Sequence, residues 1–211
     1  MKLIGMLDSP YVRRVAVALQ LMGVPFKHQS LSVFRGYAEF RKINPVVKAP
    51  TLLFDDGEVL MDSMLILQYA EKLAARSLLP AEPAALRRDL RLAGLALAAC
   101  EKAVQIVYEH NVRPPEKVHQ PWMDRVHEQL RAACTALENE LADAPLAVGA
   151  DGSELTQAGV CIAVVWTFIQ DLVPASAPAA DYPAISALSA QAEALLAFRA
   201  APHGDGTYPV V

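Results

Sequence analysis

The spacing of apolar residues changes once along the chain, near residue 80, and no other feature constrains the fold as much. Before that point, short apolar runs alternate with stretches of helical period. After it, only the helical period remains. A chain patterned this way has a first part of mixed strands and helices and a second part made of helices alone. Its 211 residues are 54% hydrophobic with a net charge of −4. Intrinsic disorder is excluded by that apolar content. The pI of about 5.7 gives no basic footprint for nucleic acid.

The first part reads element by element. Lys2–Met6 is a short apolar run, a buried strand. Val12, Val15, Ala16, Leu19 and Met22 then mark one face of a helix. Ser9 fits its N-cap, Pro10 its first position and Gly23 its stop. Pro25–Leu31 reads as a second strand and Gly36–Ile43 as a weaker helix. Thr51–Phe54 and Val59–Met61 flank Asp55-Asp56-Gly57, a hairpin turn. Asp62-Ser63 opens a helix expected to reach about Ala75, with Met64, Leu67, Ala70 and Leu73 along one side. The order β-α-β-α-β-β-α implies a mixed four-stranded sheet, the order in which thioredoxin-like domains are built.

Residues 77–83 read as a linker between a domain at 1–76 and an all-helical domain at 84–211. The second domain is expected to begin with a helix over Ala84–Asn111, with Leu86, Leu90, Ala93, Leu97, Val104 and Val107 inward. A helix over Pro121–Ala142 follows, and Pro183 opens a last one through Ala200. The tail from Pro202 is expected to lie over the surface. Gln157–Leu172 is apolar almost all round and belongs at the centre of the bundle. Its run Ala158–Ile169 is too short for a membrane span, which needs about 20 residues. Cys100, Cys134 and Cys161 are widely spaced without a CxxC, so they read as reduced core thiols of a cytoplasmic protein. No metal is expected: His28, His110, His119, His127 and His203 show no paired ligand spacing.

Three places in the first domain carry chemistry. Ser9 stands where a strand meets a helix N-terminus, whose free N–H groups and partial positive charge favour a thiolate. Lys48-Ala49-Pro50-Thr51 precedes the third strand. A cis Ala49-Pro50 bond would turn the Ala49 backbone outward to pair with an extended peptide. Asp62-Ser63 at a helix start suits a carboxylate and an ammonium group. Taken singly, each also reads as plain capping or a trans proline at a strand entrance; their order and spacing are more specific.

Together, Ser9-Pro10-Tyr11-Val12-Arg13-Arg14-Val15, Asn44-Pro45-Val46-Val47-Lys48-Ala49-Pro50-Thr51-Leu52 and Asp62-Ser63-Met64-Leu65-Ile66-Leu67-Gln68-Tyr69 resemble the cytosolic glutathione transferase family. The resemblance is nearest to its serine-type classes, bacterial members and the plant tau class among them. It implies a glutathione transferase fold and a cytoplasmic, homodimeric detoxification enzyme with glutathione as co-substrate and no further cofactor. On this resemblance Ser9 would stabilise the glutathione thiolate and Ala49, before Pro50, would pair with the cysteinyl backbone. Asp62 and Ser63 would hold the γ-glutamyl end, and Lys48 and Arg35 the glycyl carboxylate. A small apolar electrophile would bind between domains against Met6, Tyr11, Tyr108, Val112 and Trp166, although Tyr108 and Trp166 also read as core. Peroxide reduction by the same thiolate is a sister activity. The alternative is a family-like interaction or ligand-binding protein with little turnover.

Two departures stand out. Gly159 occupies the place where the family often has an Asp that bonds back to the helix cap, so a stability cost of about 1 kcal/mol is expected there, recoverable by Gly159→Asp. No Cys stands at Ser9 or beside it, which argues against the thiol-exchange branches.

Overall fold

Strand β1 (Lys2–Ile4) ends where Gly5 takes φ +137°, a conformation that favours glycine. This is why the expected strand to Met6 stops early. The computed structural model describes residues 1–206. From β1 the chain continues into α1 (Pro10–Leu21), β2 (Lys27–Gln29), α2 (Tyr37–Ile43), β3 (Thr51–Leu53), β4 (Val59–Leu60) and α3 (Ser63–Ala70). The sheet order is β2-β1-β3-β4. β1 runs parallel to β2, with Leu3 opposite His28, and antiparallel to β3, with Leu3 opposite Leu52. The parallel step needs a crossover, which α1 supplies. The sheet is therefore mixed, as the element order predicts.

Helix α3 is shorter than expected. Its last turn tightens as Lys72 and Leu73 donate to the carbonyls of Tyr69 and Ala70. The Glu71 carboxylate then accepts from Ser77 Oγ at 2.7 Å and the Leu78 N–H at 3.2 Å, folding the chain back on the helix end. Its inward face is Ser63, Ile66, Leu67 and Ala70, whereas Met64 and Leu73 of the expected stripe are exposed.

The later helices are α4 (Pro83–Asn111), α5 (Gln120–Asp143), α6 (Gln157–Leu172), α7 (Pro183–Glu193) and α8 (Leu196–Ala200). Helix α6 has the expected bounds, and twelve of its sixteen residues are buried, so it forms the centre of the bundle. It packs against α4 and α7, while α5 packs on α4. The α4 seam differs from the expected one. Leu92, Ala93, Ala96, Ala99, Cys100, Ala103 and Ile106 face inward, and Leu90 is 49% exposed. Small side chains let the neighbouring helices approach closely, and this outweighs the larger leucines as a guide to the buried face. All three cysteines are buried, and burial pushes the Cys134 thiol up to about 12. Among the described residues, no single helix is long and apolar enough to cross a membrane.

The chain divides into two compact units. Among the described residues, one holds Met1–Leu78, Ala150–Ser153 and residues 194–206; the other holds Leu79–Gly149 and Glu154–Glu193. This corrects the expectation that residues 84–211 form one domain, and the expected last helix is broken between α7 and α8. The reason is a set of long-range bonds. Arg13, 1% exposed, donates from Nε to the Ala201 carbonyl at 2.8 Å, and its guanidinium stands 5.8 Å over the Phe198 ring. Arg76 donates to the Gly152 carbonyl at 2.8 Å. Of the expected surface tail, the part through Gly206 touches the first unit, and residues 207–211 lie outside the described residues.

Candidate functional site

The site begins with the β1–α1 turn. A Cβ at Gly5 would lie 2.6 Å from Val12 Cγ2 and 3.1 Å from Ala49 Cβ, so this glycine lets the turn close against both α1 and the Ala49 loop. The Gly5 N–H donates to the Gln29 carbonyl, and His28 Nε2–H donates to the Gly5 carbonyl at 2.7 Å. Burial lowers the His28 pKa below the usual histidine value, opposed by that carbonyl. Ser9, half-buried, caps α1: its Oγ accepts from the Val12 N–H at 3.4 Å. An acceptor role leaves the hydroxyl proton available to donate elsewhere. Capping and thiolate stabilisation are thus compatible uses of one hydroxyl.

The second element is the Asn44–Thr51 loop. Asn44, 1% exposed, donates from Nδ2 to Thr51 Oγ1 at 2.8 Å and accepts from the Val46 N–H at 3.0 Å. Thr51 Oγ1 donates in turn to the Lys48 carbonyl at 2.6 Å. These bonds fix the segment that carries Lys48, Ala49 and Pro50. The Ala49-Pro50 peptide bond is cis. Pro50 is buried, Ala49 half-buried and Lys48 exposed. Val47 sits at φ 53°, a strained place for a β-branched residue, and its N–H is held by the Asn44 carbonyl at 2.9 Å.

The third element is the start of α3. Asp62 caps it, its Oδ1 accepting from the Met64 N–H at 3.0 Å. Ser63 is buried at 3% exposure, and its Oγ accepts from Arg14 Nη1 at 3.2 Å. Arg14 is itself 1% exposed; it also reaches Met64 Sδ at 3.5 Å, and its Nε has no hydrogen-bond partner among the described residues. A buried guanidinium on α1 thus anchors the first residue of α3.

Met6, Ser30, Leu31, Ser32, Arg35 and Asp205 line a cleft of about 260 Å³ beside the β1–α1 turn. Arg35 donates from Nη2 to Asp205 Oδ2 at 3.3 Å. Of the expected electrophile residues, Met6 and Tyr11 are half-buried, and Tyr108 and Val112 are 45% and 57% exposed on the second unit. Tyr108 is therefore not the core residue that its place on α4 also allowed. Trp166 is corrected: it is 5% exposed, edge-on to Tyr182 at 5.6 Å between ring centroids, and belongs to the bundle core. Every residue of α6 from Gln157 to Trp166 is buried, so the ring has no outward face to occupy. Sequence reasoning gave no role to Gly5, Asn44, Arg14 or Asp205. An Asn before Pro and a Gly before the capping Ser were the available signals for the first two. Among the described residues, no group of three His, Cys, Asp or Glu side chains is placed to hold a metal ion.

Residues 3–78 match the family model "Glutathione S-transferase, N-terminal domain". The uncharacterized GST-like protein YibF of Escherichia coli strain K12 is 28% identical over 147 residues, 69% of this chain and 72% of that one. Glutathione S-transferase U4 of Arabidopsis thaliana is 34% identical over 83 residues, 39% of this chain and 37% of its own length. The chain thus spans little more than a third of this plant relative. A crystal structure of a glutathione transferase family member from Pseudomonas fluorescens Pf-5, with bound S-(propanoic acid)-glutathione, is 29% identical. It covers 100% of both chains with a TM-score of 0.78. The fold is a thioredoxin-like N-terminal domain joined to an all-helical C-terminal domain. Residues 3–78 thus carry the pattern of a glutathione S-transferase N-terminal domain, and the chain is similar along its length to bacterial members of that family and, over 83 residues, to a plant one.

Proposed function

We propose that this chain is a glutathione transferase that uses Ser9 to stabilise the glutathione thiolate for addition to a small apolar electrophile. One observation carries the reading: Ser9 Oγ caps α1 as an acceptor and keeps its own proton to donate to a sulfur anion at the helix N-terminus. In this reading the cysteinyl backbone pairs with Ala49 beside Pro50, and the γ-glutamyl ammonium and carboxylate meet Asp62 and Ser63. The glycyl carboxylate meets Lys48 and Arg35. Arg14 supports the γ-glutamyl contact through Ser63. Thiolate attack on an electrophilic carbon forms the thioether, and the proton lost from sulfur goes to solvent or to the product. Lowering a thiol pKa by one unit corresponds to about 1.4 kcal/mol of thiolate stabilisation. On the first unit the electrophile would meet Met6 and Tyr11, and the working protein would be a cytoplasmic homodimer.

The neighbouring structure with bound glutathione from Pseudomonas fluorescens Pf-5, 27% identical over 95% of this chain, supports the choice of ligand. Titration calorimetry is expected to show glutathione binding at or below millimolar concentration. Ser63→Ala should weaken it by about tenfold, the loss of one hydrogen bond to a charged group. An absence of binding at millimolar ligand would favour an interaction protein instead.

A further inference from the structure

The described end of the chain returns to the first unit beside the β1–α1 turn. Three contacts tether it there. His203 Nε2 stands 3.2 Å from the Asp8 carbonyl, Ser30 Oγ donates to the Asp205 carbonyl at 2.6 Å, and Arg35 Nη2 donates to the Asp205 carboxylate at 3.3 Å. Asp205 therefore lines the same cleft as Arg35 and Met6, and the Met6 carbonyl accepts from the Ser9 N–H at 3.2 Å. The Ser30 bond fixes the Asp205 backbone, so its carboxylate stays within reach of Arg35 although both side chains are largely exposed, at 74% and 70%.

We infer that Asp205 sets the selectivity of this cleft at the glycyl end of the thiol ligand, by competing as a carboxylate of the chain itself for the guanidinium of Arg35. The inference rests on the reading of Arg35 as a glycyl-carboxylate contact. An incoming carboxylate must displace Asp205 from Nη2 or share the guanidinium with it, and in both cases it meets a second negative charge a few ångströms away. A thiol tripeptide whose glycyl carboxylate is capped as an amide brings no charge to the guanidinium and meets no such competition. Asp205 thus narrows the preference for glutathione over its glycyl amide, and the effect weakens as salt screens the exposed pair.

The experiment compares the affinities of glutathione and its glycyl amide, by calorimetry at low salt, for the wild type, Asp205→Asn, Arg35→Ala and the double variant. Asp205→Asn is expected to tighten glutathione by about two- to five-fold, the span of an exposed ion pair, and to leave the glycyl amide unchanged. Arg35→Ala should weaken glutathione, and in that background Asp205→Asn should give a smaller gain than in the wild type. If Arg35→Ala weakens glutathione but Asp205→Asn changes nothing, or tightens both ligands equally, the inference is overturned while the role of Arg35 stands. If Arg35→Ala leaves glutathione affinity unaltered, the reading of Arg35 fails, and the inference fails with it.

Discussion

Two helix starts in this molecule are built from nearly the same parts. At α1, Ser9 Oγ accepts from the Val12 N–H at 3.4 Å; at α6, Thr156 Oγ1 accepts from the Gly159 N–H at 3.4 Å. Each has a glycine where a Cβ would lie 2.6 Å from a buried side chain, Val12 for Gly5 and Leu155 for Gly159. Their surroundings differ. The α1 start adjoins a cleft through Met6 and packs, through Gly5, against the Ala49 loop. The α6 start runs straight into Gln157, Ala158, Gly159 and Val160, all buried. A capped helix N-terminus is thus a structural commonplace, and open space and neighbouring polar groups make one of the two a candidate site.

The glycines test the comparison most severely. Gly5 needs both room and a positive φ, whereas Gly159 needs only room. Gly5→Ala should therefore cost more than about 3 kcal/mol, since backbone strain adds to a clash with the buried branched side chain of Val12. Urea unfolding reads it, and a cost below 1 kcal/mol would show that the turn relaxes freely. Gly159→Asp is expected to destabilise by about 1–2 kcal/mol. This reverses the sequence-based expectation of a gain from a restored capping bond, because the new side chain meets Leu155 Cδ1 first. Combining it with Leu155→Ala should remove much of that penalty beyond the cost of Leu155→Ala alone, and a simple sum of the two would contradict the clash. The caps themselves come last. Ser9→Ala and Thr156→Ala should each cost about 0.5–1 kcal/mol, the lower part of the range for caps, since both bonds are long.

What was legible in the sequence was local. Ser9-Pro10 and Asp62-Ser63 read correctly as helix starts, because capping depends on residues within one turn. The bounds of α6 read correctly because an apolar run between a Thr cap and Pro174 leaves little choice. Features that depend on distant residues were hidden. Helix α4 offers two apolar stripes, and its partners select the one rich in alanine. Arg13 and Arg14 look like solvated charges, yet both are buried, one by Ala201 and Phe198 and the other by Ser63 and Met64. The assignment of residues from Ala194 to the first unit follows from the Arg13 contacts, nearly two hundred positions apart in sequence, which no local pattern announces. In the candidate site the ends of elements were readable. The groups that hold them, Gly5, Asn44 and Arg14, emerged only with the fold.

The central claim is that Ser9 does chemistry and Thr156 does not, although both cap helices alike. The direct measurement is the rate of glutathione addition to a general electrophile at neutral pH, compared between Ser9→Ala and Thr156→Ala. The rate should fall about tenfold or more for Ser9→Ala, as expected when the thiol pKa rises by a unit or more, and stay near wild type for Thr156→Ala. Equal rates in the two variants would contradict the account and place the thiolate-stabilising group elsewhere.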